Sequence, residues 1–348
     1  MTKLIGYVGT YTKEESKGVY QFTLDTDDKV IKEVKLAAEL DNPTYVTVSH
    51  NNKYLYAVAK EGDKGGVTAL SINPESGELS KLNSQALAGS PPCHVSINHD
   101  NSLVLTANYH TTVIASYLTN EDGSLNPAAS VVEHAGSGPH ERQEKPHMHF
   151  AGFTPDENYA IAIDLGSDRV ITYSINHGKL TETQVFHTKP GSGPRHITFH
   201  PNKNIAYVMT ELSSEVIVLN YNEMDGSFTE QQTIRTIPKD FNQINDGSAI
   251  HISPDGQYVY AANRGHNSIA VFKVEQDSNQ LSFVEWTTTE GDWPRDFVID
   301  PSGEFLVATN QKSNSMTLFG RDKNTGKLTL IQSEVKVPEP VCVKFLNV

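Results

Sequence analysis

Apolar and polar residues alternate along this chain in short runs, and the runs come in pairs around a turn. In the stretch from Gly193 to Glu211, Ile197 and Phe199 alternate into a His200-Pro201-Asn202 turn, and a second apolar run from Ile205 to Met209 leaves it. That pattern predicts an antiparallel hairpin with its charges at the open end. The same phrase returns around Pro155, Pro254 and Pro301, and with Pro201 these turn prolines are 46, 53 and 47 residues apart. Such a period belongs to an array with one sheet per repeat rather than to a helical repeat. A third strand follows in each unit, as at 215–221 or 267–274. A turn such as Asp122-Gly123-Ser124-Leu125 or Thr325-Gly326-Lys327-Leu328 then leads into a fourth, outer strand.

Whole repeats start near Pro43, Pro92, Pro146, Pro194, Gly247 and Pro294. The N-terminal segment supplies three strand candidates, 4–11, 18–24 and 31–40, and lacks an opening strand. The C-terminal stretch 339–346 is an opening strand with nothing after it. The two fragments complete one sheet. The expected fold is therefore an all-β, seven-bladed β-propeller of four-stranded antiparallel blades, a single domain over 1–348, whose termini share a blade and remove the open edges. The repeat overrides the two-domain prior that length alone would give.

Composition adds three constraints. Val, Ile, Thr and Tyr are plentiful and no long stretch keeps a helical apolar period, which favours strands. The formal net charge of -14 disfavours nucleic acid or an anionic membrane as a partner, because both attract clustered Lys and Arg. The two cysteines, Cys93 and Cys342, fall in predicted inner strands of different repeats, which suits buried, unpaired thiols in a reducing compartment. The apolar run at the N-terminus is too short for a signal peptide or a membrane span, so the expected location is the cytoplasm. Nucleophile-elbow, phosphate-loop, dinucleotide and Cys-x-x-Cys motifs do not occur.

Two connectors are long and polar, 134–147 and 237–246, and both join an outer strand to the next inner one, so both belong on one face of the disc. Register identifies what else reaches that face. The residue six before each turn proline begins the inner strand and the residue ten after it ends the second strand, so both lie at the same end of the hairpin. The six-before positions are His149, Arg195, Ser248 and Arg295, and the ten-after positions are Leu165, Glu211, Arg264 and Gln311. In the first two repeats, which carry His50 and His99 at the turn, they are Thr44, Lys60, Cys93 and Tyr109. One His, one Glu and three Arg thus converge in an acidic protein, which points to a small anionic substrate. Guanidinium groups can hold a carboxylate or phosphate, while Glu211 and His149 can exchange protons with it or with water. His147 and His149 share a strand face and could in principle chelate zinc, but three neighbouring arginines would repel a divalent cation, so no metal or cofactor is expected. For His147 a loop-end hydrogen-bonding role weighs equally with a substrate contact.

The segments Gly6-Tyr7-Val8-Gly9-Thr10-Tyr11-Thr12, Pro146-His147-Met148-His149, Gly193-Pro194-Arg195-His196, Ala262-Asn263-Arg264-Gly265 and Asn267-Ser268-Ile269 resemble the seven-bladed lactonase family. That family holds propeller-type bacterial 6-phosphogluconolactonases and a fungal carboxy-muconate cycloisomerase. The resemblance implies metal-independent catalysis by His149, Arg195 and Glu211 with Arg264 on the substrate. Arg295, Gln311 and His147 are further substrate-binding candidates. It also implies hydrolysis of a sugar lactone, foremost 6-phosphogluconolactone of the pentose phosphate route. A muconate-type cycloisomerase and a non-catalytic binding platform are the alternatives.

Overall fold

The computed structural model describes residues 3–347. Seven four-stranded antiparallel sheets make up the molecule, and six of them are formed by strands consecutive in sequence. The seventh, blade 1, has the order β28 (Pro340–Phe345), β1 (Lys3–Thr10), β2 (Gly18–Asp25), β3 (Val30–Glu39). The terminal strands pair antiparallel, with Gly6 opposite Phe345 and Gly9 opposite Cys342. The expected shared blade is therefore the one observed. Blades 2 to 7 follow as residues 46–88, 94–133, 148–187, 194–235, 246–288 and 294–336, and no helix occurs among the described residues.

Burial follows position within the blade. The second strand of blade 5, β17 (Ile205–Thr210), is buried throughout, whereas the outer strand of the same blade, β19 (Phe228–Arg235), is mostly exposed or half-buried. Middle strands lie between neighbouring blades on both faces, which explains why they read as continuous apolar runs and outer strands do not.

One contact repeats between adjacent blades. Tyr7 donates its hydroxyl to the carbonyl of Gly77, Tyr56 to Gly123 and Tyr260 to Gly326, at 2.7, 3.0 and 2.7 Å. Ser116 and Thr172 make the equivalent bonds to Gly178 and Gly226. In each case the acceptor is the glycine of the turn before the next blade's outer strand. Gly326 has φ +72°, and a Cβ there would fall 2.1 Å from the Tyr258 ring. The Asp-Gly and Thr-Gly turns are thus required for blade-to-blade contact as well as for chain reversal.

The closing strand is buried against its neighbours, and Val343 packs in one cluster with Val8, Phe22, Val307 and Leu318. Val343→Asp would place an unpaired carboxylate there. We expect it to lower unfolding free energy by roughly 3 kcal/mol or more in a urea melt, and a shift within experimental error would contradict the closure described.

Candidate active site

Of the register positions, His149, Arg195, Glu211, Arg264 and Arg295 come together, and β-bulges present three of them. In β12 (Met148–Phe153) pairing skips from Met148 to Phe150, in β16 (Pro194–Phe199) from Pro194 to His196, and in β24 (Pro294–Ile299) from Pro294 to Asp296. The extra residues are His149, Arg195 and Arg295. A bulge leaves one residue outside the ladder and re-aims its side chain, so the same local irregularity turns the same register position inward in three blades.

Glu211 follows β17 and is the hub of the site. Its Oε2 lies 2.6 Å from a terminal nitrogen of Arg264, at the end of β21 (Tyr258–Arg264), and 3.0 Å from Nε of Arg195. Its Oε1 accepts a hydrogen bond from Arg142, whose other terminal nitrogen donates to Asp246 at 2.9 Å. Arg195, Glu211 and Arg264 are all buried. Oε2 and the Arg195 Nε meet as an ion pair without an aligned hydrogen bond. These groups retain hydrogen-bonding capacity in a place where buried polar atoms are normally satisfied.

Burial alone would raise the Glu211 carboxyl, yet the charges of Arg264, then Arg195 and Arg142, hold it well below the usual carboxylate range. Burial, and Arg264 beside it, pull the Arg195 guanidinium down to about 10, so it keeps its charge at neutral pH. Burial, then the Arg195 charge, push His149 well below the ordinary imidazole value of 6.5. His149 is therefore neutral and Glu211 ionised at rest. The Nδ1 of His149 is buried without a partner, and its ring meets Tyr109 edge-on at 5.8 Å.

Other sequence candidates divide. Arg295 is half-buried, close enough for its charge to act on Cys93, His149 and Arg195, and faces the Tyr11 ring at 5.5 Å. The buried Oε1 of Gln311 has no hydrogen-bond partner. His147 has both ring nitrogens engaged, Nδ1 with the Tyr109 carbonyl at 2.9 Å and Nε2 with Glu144 at 3.2 Å, and it stacks on Tyr109 at 4.1 Å. Lys60 is exposed, Leu165 is core, and Ser248 donates to the Pro294 carbonyl. Cys93 departs from expectation, since it precedes the inner strand β8 (His94–Ile97) by one residue and is half-buried rather than buried. The short strand leaves Cys93 at the channel opening. Burial of the sulfur still pushes the thiol up to about 11, so it is protonated.

Register counting missed Arg142. It lies in the connector 134–147, where it is the lone arginine, and no turn-relative count reaches a loop. The loop is pinned by Gln143, whose amide donates to the Leu165 carbonyl and to Asp168, both at 2.8 Å. The Arg142–Asp246 bond then joins the two long connectors, as their common face requires.

Beneath the site the channel is filled. Tyr45, His94, Phe150 and His196 come from four successive blades, with ring centroids 4.3 Å apart for Tyr45–His94, 4.4 Å for His94–Phe150 and 5.4 Å for His94–His196. Lys344 of β28 and Asp296 of β24 complete this layer as an ion pair at 3.6 Å.

The profile of the family described as "Lactonase, 7-bladed beta-propeller" matches residues 5–345. The chain belongs to that lactonase family. It is 56% identical over 347 residues to a protein of Bacillus subtilis (strain 168) named 6-phosphogluconolactonase, covering 100% of this chain and 99% of that one. Among solved structures, a protein from Lactobacillus plantarum superposes with a TM-score of 0.96 at 40% identity, covering 99% of this chain and 100% of that chain. The periplasmic gluconolactonase of Pseudomonas aeruginosa superposes with a TM-score of 0.94 at 32% identity, covering 99% of both chains.

The ionised hub of this lactonase-family site has a consequence for stability. The Glu211 carboxyl is depressed from its ordinary 4.5, so its contribution is fully present above that pH and falls as pH drops toward the folded value. The stability difference between the wild-type protein and Glu211→Gln should be constant above about pH 5 and shrink steadily in denaturant melts at lower pH. A difference that grows on acidification would reverse the assignment.

Proposed function

We propose that this chain hydrolyses a sugar lactone, 6-phosphogluconolactone to 6-phosphogluconate, by acid/base catalysis on the cluster around Glu211. The observation that carries the reading is the pairing of an ionised Glu211 with a neutral His149 beside two buried, charged arginines. The names of the Bacillus and Pseudomonas relatives agree with this chemistry.

In this reading water attacks the lactone carbonyl while His149 accepts its proton. The neutral imidazole is already in the form that can accept it, and the Glu211 charge stabilises the imidazolium that results. Charge develops on the former carbonyl oxygen. Arg195 and Arg264 face it with N–H groups not all committed to Glu211, since a guanidinium carries five donors. Collapse of the tetrahedral intermediate breaks the ring C–O bond, and the leaving oxygen takes the proton back from His149. Glu211 thus keeps the arginines in place and offsets the imidazolium, while Arg142 holds the connector 134–147 over them. A small anionic substrate is the partner this arrangement suits. A reducing, cytoplasmic location is the companion proposal, supported by the two free thiols, Cys93 and Cys342.

His149→Ala and Glu211→Gln should each lower kcat on 6-phosphogluconolactone by about 100-fold or more after subtraction of spontaneous ring opening. Full kcat in both variants, or wild-type turnover no faster than the spontaneous rate, would overturn the reading. The acid limb of kcat/KM should lie well below pH 6.5, the ordinary imidazole value, because activity needs neutral His149 and is lost only as pH falls through its depressed pKa. An acid limb at or above 6.5 would remove His149 from the role of base.

A further inference from the structure

Four arginines reach the channel opening, and three are committed. Arg142, Arg195 and Arg264 all contact Glu211, and Arg142 also pairs with Asp246. Arg295 makes no ion pair with a carboxylate among the described residues, and its guanidinium lies over the Tyr11 ring. Lys13, on the loop after β1, lies 4.2 Å from the centroid of that same ring. The next residue around the opening, Trp293, carries a second pair of cations, Lys312 at 3.4 Å and Arg264 at 5.7 Å from its ring.

Trp293 is also held in the left-handed region at φ +66°, a conformation that is costly for a bulky side chain and persists only when its surroundings impose it. The imposition is visible. Its N–H donates to Asn267 Oδ1 at 3.0 Å and its carbonyl accepts from Gln311 N–H at 3.1 Å. This clamp sets the start of β24 and with it the bulge that presents Arg295. The Gln311 amide beside it has a buried oxygen with no partner. The opening therefore has two unlike sides. One holds the compensated Glu211 cluster with His149, and the other holds Arg295 and Lys13 on the Tyr11 ring and Lys312 on the Trp293 ring. Carboxylates on that second side are engaged elsewhere: Glu339 accepts from the backbone N–H groups of Lys13 and Glu14 at 3.0 and 2.8 Å, and Asp292, next to Trp293, accepts from the Asn267 amide at 2.9 Å.

We infer that Arg295 is the anchor for the phosphate of the substrate, with Lys13 and Lys312 supplying longer-range attraction. This rests on the lactonase reading above and deepens it by assigning the group that separates phosphorylated from unphosphorylated lactones. The chemistry is direct. A dianion gains most from a guanidinium whose charge no carboxylate already offsets, and the planar fork can hold two phosphate oxygens at once. Arg264 and Arg195 are left to the lactone carbonyl.

The test measures binding and turnover separately. Affinity for 6-phosphogluconate and for gluconate, by calorimetry, is compared in the wild-type protein, Arg295→Met and Arg295→Lys, with thermal melts to establish folding. The preference for the phosphorylated acid should fall about 10- to 100-fold in Arg295→Met and recover partly in Arg295→Lys, which keeps the charge but not the fork. In turnover, the ratio of kcat/KM for 6-phosphogluconolactone to that for glucono-1,5-lactone should fall by a similar factor, through KM rather than kcat. Equal losses for both acids, or an unchanged preference, would overturn the anchor while leaving lactone hydrolysis intact. A wild-type protein that turns over neither lactone, yet binds 6-phosphogluconate through Arg295, would overturn the reaction and retain the anchor. Wild-type protein that binds both acids equally would overturn the anchor outright. Should Arg295→Met fail to fold, the Arg295→Lys ratio decides alone, with an unchanged preference counting against the bidentate hold.

Discussion

Everything at the channel opening depends on closure of the ring by β1 and β28. A propeller blade cannot bury both faces of its middle strands by itself. Each takes cover from its neighbours, and the last must meet the first. The Tyr-to-glycine and Ser/Thr-to-glycine bonds between consecutive blades repeat this dependence at the level of single hydrogen bonds. Only in a closed ring do residues as far apart in sequence as Arg142, Glu211 and Arg295 come to face one space.

Within that space the dominant constraint is electrostatic. Glu211 sits among cations, and the arrangement fixes ionisation states in advance: a carboxylate that stays charged and an imidazole that stays neutral. Desolvation works against the first and for the second, so the arginines decide one case and burial decides the other. Preorganisation of this kind is what a site needs in order to stabilise developing charge without rearranging its own groups.

Much of this was legible in the residues. The spacing of Pro155, Pro201, Pro254 and Pro301 carried the repeat, the unmatched segments at the two ends carried the closure, and register placed Arg195, Glu211 and Arg264 together. Register was informative because antiparallel pairing maps sequence offset onto height along the strand. It could not show that His149, Arg195 and Arg295 are bulged residues, because a bulge is a local departure from the alternation on which such counting relies. Arg142 was hidden for a related reason: a loop has no period, and its side chains are placed by individual bonds such as those of Gln143. Cys93 was placed too deep because β8 is one residue shorter at its start than the pattern suggested.

The layer of Tyr45, His94, Phe150 and His196 makes the channel a well with a floor. A guest entering from the Glu211 side meets this layer of rings below it. Opening a lactone creates a carboxylate, so the departing molecule is more negative than the one that arrived, and bare arginines would grip it harder. In the reading proposed above, a resident anion shared among three of them would blunt that grip, so Glu211 would serve release as well as the chemical step.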